Sequence, residues 1–185
     1  MKKGCFGYIG SMKIKSGTAS LALSAIAVLI YFTGLHFFPE NKTAVGILTV
    51  VVCVPAAMAV VRFIMFMRFP AGSREVHDII EGARGEVPVF YDSIITTPDK
   101  SYGVNAFISS DGSLLGYTEY AKVDTPKLEK HLRDIFSANK YTSLNIKVFT
   151  DKDKFLDRLK ALAERQGSDT GHDEAILHLI GRISL

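Results

Sequence analysis

The stretch TASLALSAIAVLIYFTGLHFF, Thr18 to Phe38, contains no Asp, Glu, Lys or Arg. The stretch TAVGILTVVVCVPAAMAVV, Thr43 to Val61, contains none either. A helix rises about 1.5 Å per residue, so roughly 20 apolar residues cross a hydrocarbon core about 30 Å thick. Both runs are long enough. The second continues as RFIMFMR, Arg62 to Arg68, whose arginines can place their charge at headgroup level while their stems stay in apolar surroundings. Two such runs in a chain of 185 residues would leave a soluble fold too few polar faces to cover them. The expectation is a transmembrane helical hairpin over 18–69, turned at Pro39 to Lys42 with Pro39 and Asn41 as breakers. The first run exceeds a signal-peptide core of about 7–15 residues, and no small-x-small site follows in HFFPEN, so a retained signal anchor is expected.

The net charge of +3 conceals a division. Lys2, Lys3, Lys13 and Lys15 precede the first run, Glu40 and Lys42 cancel between the runs, and Arg62 and Arg68 follow the second. From Arg74 onward, 15 Lys and Arg face 18 Asp and Glu, a balance of −3. The basic character flanks the apolar segments, and the remainder is mildly acidic. A nucleic-acid surface needs clustered cations on the folded domain, so nucleic acid is not an expected partner. Lys and Arg bias short flanks toward the cytoplasm. Residues 1–17 therefore read as a basic cytoplasmic leader, both termini as cytoplasmic, and the protein as integral to the cell membrane. Cys5 and Cys53 cannot build a disulfide framework, since one lies in the leader and the other in an apolar run.

Beyond the hairpin the pattern changes to that of a small α+β domain over 70–167. Ser73 caps a helix through Ala83, with Val76, Ile79 and Ile80 on one face, and Gly85 ends it. Strands are expected over Val87–Ile95, Tyr102–Ser109 and Leu114–Tyr120, the last two joined by an Asp111-Gly112 hairpin turn. Thr125 reads as the N-cap of a helix with Pro126 at its first position. Leu144, Ile146 and Val148 mark a fourth strand, and Asp151 caps a helix carrying Phe155, Leu156, Leu159 and Leu162. Gly167 ends that helix, 168–171 forms a joint, and Asp173 to Ile183 is an amphipathic tail helix within 168–185. The order α-β-β-β-α-β-α plus a tail helix gives three meander strands and a fourth after a crossover.

That order resembles the core of the restriction-endonuclease-like fold, whose members hold a metal with an Asp on the second strand and Glu-x-Lys on the third. Asn105, Tyr117 and Glu119 fall where those ligands are wanted, and none matches. His77 and Glu81 share a helix face without a third ligand, and no His-Glu-x-x-His or paired-Cys motif is present. No cofactor and no metal are expected. Tyr91, Asp92, Tyr117, Glu119 and Tyr120 cluster on the sheet if the first and third strands pair. They are the candidate interaction surface, given the aromatic preference of interfaces. The tail-helix residues Ile176, Leu177, Ile180 and Ile183 are a second apolar set that something must cover.

The leader MKKGCFGYI, YFTG at Tyr31, PAA at Pro55, IMFMRF at Ile64, VFYDS at Val89, GYTE at Gly116, FTD at Phe149 and the final RISL carry a further resemblance. The whole chain resembles an uncharacterised family of small two-span membrane proteins of anaerobic Gram-positive bacteria. Some members are named "O-linked GlcNAc transferase-like". Such transferases resemble a helical repeat array joined to a large nucleotide-sugar domain. This chain has no repeat, and its soluble part is too short for that domain, so the resemblance implies architecture and bacterial origin, not the activity.

The functional expectation is a membrane-anchored cytoplasmic interaction or scaffold module without an evident catalytic site. Its partners would be the lipid bilayer and a protein, either another chain or a second copy. A subunit of a transporter or envelope complex is one rival. A divergent membrane-tethered enzyme using Asp92 and Glu119 is the other.

Overall fold

The computed structural model describes residues 2–69, 71–120, 122–164 and 170–185. The chain forms two compact units, Ile9–Pro70 and, together, Met1–Tyr8 with Ala71–Leu185.

The unit Ile9–Pro70 contains helices α1 (Tyr8–Phe37) and α2 (Lys42–Met67). Helix α1 starts ten residues before the apolar run, because nothing between Ile9 and Gly17 interrupts a helix and its hydroxyls are absorbed locally. Ser16 Oγ donates to the Met12 carbonyl at 2.6 Å. Thr33 and Thr49 likewise donate to the carbonyls of Leu29 and Val45, at 2.6 and 2.8 Å. These i−4 bonds remove the cost of placing hydroxyls among apolar side chains. Helix α2 continues through Pro55. The small-residue spacings Ser20/Ser24 and Ala56/Val60 suggest close helix approach, yet glycine marks the tight point. A Cβ on Gly34 would stand 2.6 Å from Val45 Cγ1. Both helices are long and apolar enough to cross a membrane.

The other unit is a four-stranded sheet with helices on both faces. Its elements are α3 (Arg74–Ala83), β1 (Val89–Thr96), β2 (Ser101–Ser110), β3 (Ser113–Tyr117), α4 (Thr125–Ala138), β4 (Asn145–Phe149), α5 (Lys152–Ala163) and α6 (Thr170–Ile183). The strand order is β1-β2-β3-β4. The first two pairings are antiparallel and β3–β4 is parallel. This is the meander plus crossover that the sequence order implies, and the fold is α+β.

Several element ends differ from the sequence reading. Asp124, not Thr125, is the N-cap of α4: its carboxylate accepts the Lys127 amide at 3.2 Å, and Thr125 is already helical. Ser73 precedes α3 without a side-chain capping bond. Strand β3 stops at Tyr117, so Glu119 and Tyr120 lie beyond it. The expected helix end at Gly167 and the joint at Ser168 lie outside the described residues. Asp151 does cap α5, accepting the amides of Asp153 and Lys154 at 3.0 and 3.3 Å.

Two apolar layers sandwich the sheet. On one face α4 and α6 bring Leu128, Leu132, Phe136, Ile176 and Ile180 against Val104, Phe107 and Ile146. On the other, α3 and α5 bring Ile80, Phe155 and Leu159 against Tyr91, Ala106, Ile108 and Leu115. The tail helix thus packs within its own domain, where Ile176 and Ile180 are fully buried and Leu177 nearly so. Its start is pinned by a buried hydrogen bond from Ser109 Oγ to Asp173 Oδ1, 2.7 Å.

The exposed side of β1 is covered by distant chain segments. Gly4 bridges to Tyr91, and Ser184 bridges to Ile95. The Tyr91 amide donates to Gly4 O at 2.9 Å, and the Leu185 amide donates to Ile94 O at 3.0 Å. Lys3 Nζ reaches Ser184 O at 2.8 Å, joining the two segments. At the opposite edge, Glu129 Oε1 accepts the Val148 amide of β4 at 2.9 Å. Unpaired strand edges template aggregation, and both edges here carry such blocks.

Candidate functional site

The candidate site lies where the alternation of the sheet fails. Along β2, Tyr102 and Val104 share a face with Phe107, although Val104 and Phe107 stand three positions apart. Ala106 and Ile108 face the other way. A regular strand alternates with period two, so the chain must change sides between Val104 and Ala106. The partner strand does the same. Tyr91 pairs with Ala106 and Ser93 with Val104, while Asp92 between them takes φ +49°. Left-handed backbone is uncommon for non-glycine residues, and Asp is among those that tolerate it. Asp92 and Asn105 are thus the two polar residues of a paired irregularity, 2% and 8% exposed.

Three connecting segments converge on this irregularity. The Gly7 amide donates to Asp92 Oδ2 at 2.7 Å. The Ser73 amide donates to Glu119 Oε2 at 3.1 Å. Asn105 exchanges two bonds with Glu119: its Nδ2 donates to Glu119 Oε2 at 3.0 Å, and the Glu119 amide donates to Asn105 Oδ1 at 2.8 Å. Gly72 fits closely, since a Cβ there would sit 3.0 Å from Asp92 Oδ1 and 3.1 Å from Asn105 Nδ2. The segment after β3 is fixed by Thr118 Oγ1, which donates to Gly103 O at 2.8 Å. Carboxylates accepting backbone amides make short, charge-assisted bonds, stronger than neutral ones.

Beside it lies an aromatic group. The Phe6 ring lies 4.2 Å from His77, tilted by 34°, and meets Tyr91 edge-on at 6.4 Å. Tyr91 Oη donates to Glu81 Oε1 at 2.7 Å, and Arg84 Nε donates to Glu81 Oε2 at 2.8 Å. The crevice among Phe6, Gly72, His77, Tyr91, Asp92 and Asn105 has a volume of about 10 Å³. That is about the space of one water, far below the 300 Å³ or more of a typical ligand pocket.

The electrostatics point the same way. Burial raises the Tyr91 phenol well above its ordinary value, and the Glu81 hydrogen bond and charge add to it. Burial likewise raises Tyr120, helped by Asp92 and Glu119, and Tyr117, helped by Glu119, Asp151 and Asp153. Burial pushes Glu81 up, but hydrogen bonds from Tyr91 and Arg84 with the Arg84 and His77 charges outweigh it and hold the carboxyl below its usual value. Every one of these shifts moves a group away from neutrality, where a general acid or base operates best.

These shifts set a pH dependence. Glu81, depressed in the folded state, contributes stability above the ordinary carboxylate value of 4.5, lost as pH falls through its folded value. The three raised phenols contribute fully below their ordinary value of 10.0 and lose that contribution as pH rises through their folded values. Melting temperature plotted against pH is expected to fall on both sides of a plateau. Glu81→Gln should flatten the acid limb, and an acid limb identical to that of the unmodified chain would contradict this assignment.

Of the five residues expected to form an interaction surface, Tyr91, Asp92 and Tyr117 are buried, Tyr120 is half-buried and Glu119 is exposed. The first and third strands do not pair, since β2 lies between them; Tyr91, Asp92 and Tyr117 are interior groups, and Glu119 alone of the five is exposed. Of the tail-helix set, Ile176, Leu177 and Ile180 are buried and Ile183 is half-buried. Sequence reasoning missed Phe6 and Gly7, and singled out Asn105 only as a residue that does not match a metal ligand. The signal it could have used is GCFG, Gly4 to Gly7, where an aromatic stands between glycines that adopt φ +86° and +81°. Among the described residues, no group of three or more His, Cys, Asp or Glu is placed to hold a metal ion. No family model, no curated protein and no solved structure matches the chain.

Proposed function

We propose that the chain is an integral protein of a bacterial cell membrane, anchored by α1 and α2, whose α+β domain is a non-catalytic scaffold module on the cytoplasmic side. The observation that carries the non-catalytic reading is the use of Asp92 and Glu119. Both carboxylates grip backbone amides of the segments that continue into the two long helices, Gly7 before α1 and Ser73 after α2. At Asp92 a catalytic role would also need access to substrate, and about 10 Å³ beside it admits none. Membrane insertion is supported by how little the apolar windows of α1 and α2 are covered, 6% and 11%. A core helix of a soluble protein would be mostly buried. The cytoplasmic placement rests on the Lys and Arg flanks, and the bacterial origin on the family resemblance.

One observation favours contact with partners through the spans, as in a homo-oligomer or a subunit of a larger envelope complex. Among the described residues, every exposed large hydrophobic side chain except Leu185 lies between Ile14 and Met67. Among its described residues the domain offers no apolar patch of the kind that marks an interface core. Washing native membranes with alkaline carbonate and then extracting in mild detergent tests both parts. Retention in the pellet, followed by a particle heavier than one chain, is expected. Release by carbonate would overturn the anchor, and a single-chain mass would overturn the partner.

A further inference from the structure

The helical unit carries two grooves of similar size. One, about 430 Å³, runs along Ile30, Gly34, Phe38 and Leu48, and its lining side chains are uncharged. The other, about 400 Å³, has apolar walls at Ala19, Leu23, Pro55 and Met58, and the cations Lys15 and Arg62 among its lining residues. Both cations are exposed, and neither is in an ion pair among the described residues. The only acid between Ile9 and Phe69 is Glu40, in the turn between the helices.

Height along the helices matters as much as charge. Lys15 stands 22 residues before the end of α1 at Phe37, and Arg62 stands 20 residues after the start of α2 at Lys42. At about 1.5 Å per residue, both lie about 30–33 Å from the turn, one hydrocarbon thickness away. The second groove therefore presents two cations at headgroup depth and an apolar channel running toward the core, the profile of an amphiphile with an anionic head. Guanidinium suits phosphate oxygens because its donors form a planar fork. Basic pockets between membrane helices on the cytoplasmic side recognise anionic headgroups.

We propose that this groove binds an anionic phospholipid, with its phosphate between Lys15 and Arg62 and an acyl chain along Ala19, Leu23, Pro55 and Met58. The assignment rests on the reading of α1 and α2 as membrane spans. It adds a specific lipid site that the span reading alone does not require.

The test is native mass spectrometry of the full-length protein in mild detergent, titrated with phosphatidylglycerol or with phosphatidylcholine of the same acyl chains. The expected result is about a thirtyfold preference for the anionic lipid, the worth of two cations near a negatively charged headgroup. Lys15→Gln with Arg62→Gln should abolish the preference, and Lys15→Arg with Arg62→Lys should keep it, which separates charge from misfolding. Equal retention of the two lipids, or a preference that survives removal of both charges, overturns the site. So does full competition by free glycerol phosphate, which would mean an anion site without a lipid. If one of these overturning results comes with protein that stays in carbonate-washed membranes, the span reading stands and the lipid site alone falls. Release from those membranes removes both.

Discussion

Ile180→Ala is expected to cost the domain about 2–5 kcal/mol, the range for truncating a fully buried aliphatic residue. Ile180 has no exposed surface. It belongs, with Ile176 and Leu177, to the apolar layer that also holds Ile95, Tyr102, Val104 and Phe107. A domain of this size is stable by about 5–15 kcal/mol, so one substitution removes a large part of the margin. The melting temperature of the full chain in mild detergent, followed by near-ultraviolet circular dichroism, should fall by roughly 10–20 °C. His178→Ala, on the exposed side of the same helix, should stay within about 0.5 kcal/mol. Equal effects of the two would mean that α6 is not docked as described. An isolated helix of three to four turns is marginal in water, so α6 depends on this packing.

Asp92→Val is expected to release the leader. Three penalties coincide at this position. Asp92 sits at φ +49°, where a β-branched side chain is strongly disfavoured, at a cost of about 1–2 kcal/mol. The Gly7 amide loses its carboxylate acceptor, which leaves a donor unpaired at about 1–3 kcal/mol. The Gly72 backbone, packed against the carboxylate, loses its neighbour. Hydrogen exchange of the full-length protein reads the outcome locally. The amides of Gly7 and Tyr91, bonded to Asp92 Oδ2 and Gly4 O, should exchange faster together. Asp92→Asn keeps an acceptor and tolerates left-handed backbone, so both amides should stay largely protected. Protection unchanged in Asp92→Val would show that the leader is held by Phe6 and the Gly4 bridge alone.

The sequence made the elements legible wherever one physical signal governed them. Thr18–Phe38 and Thr43–Val61 are apolar throughout, so their helices follow from length alone. Asp111-Gly112 fixes a two-residue turn, and the Ser110–Ser113 pair closes it. Ile176, Leu177 and Ile180 repeat at helical spacing and are buried on one face of α6. The candidate site was less legible because its defining feature breaks the pattern used to read it. Alternation across Val104-Asn105-Ala106-Phe107 gives no sign of a change of side. A reading that keeps period two places Tyr91, Tyr117 and Glu119 on an open face. Docking of the leader was also hidden. Lys2 and Lys3 read as membrane-flanking charge, yet Lys3 bonds to Ser184 O, 181 positions away, a contact no local pattern encodes.

The central claim is that α1 and α2 form a membrane hairpin whose flanks share the cytoplasmic side. The most direct measurement pairs two reporters in a bacterial host, one active only in the cytoplasm and one active only outside it. Each is fused after Asn41, in the turn, and after Leu185. The account predicts the external reporter active only at Asn41 and the cytoplasmic reporter active only at Leu185. External activity at Leu185, or cytoplasmic activity at both positions, would contradict it.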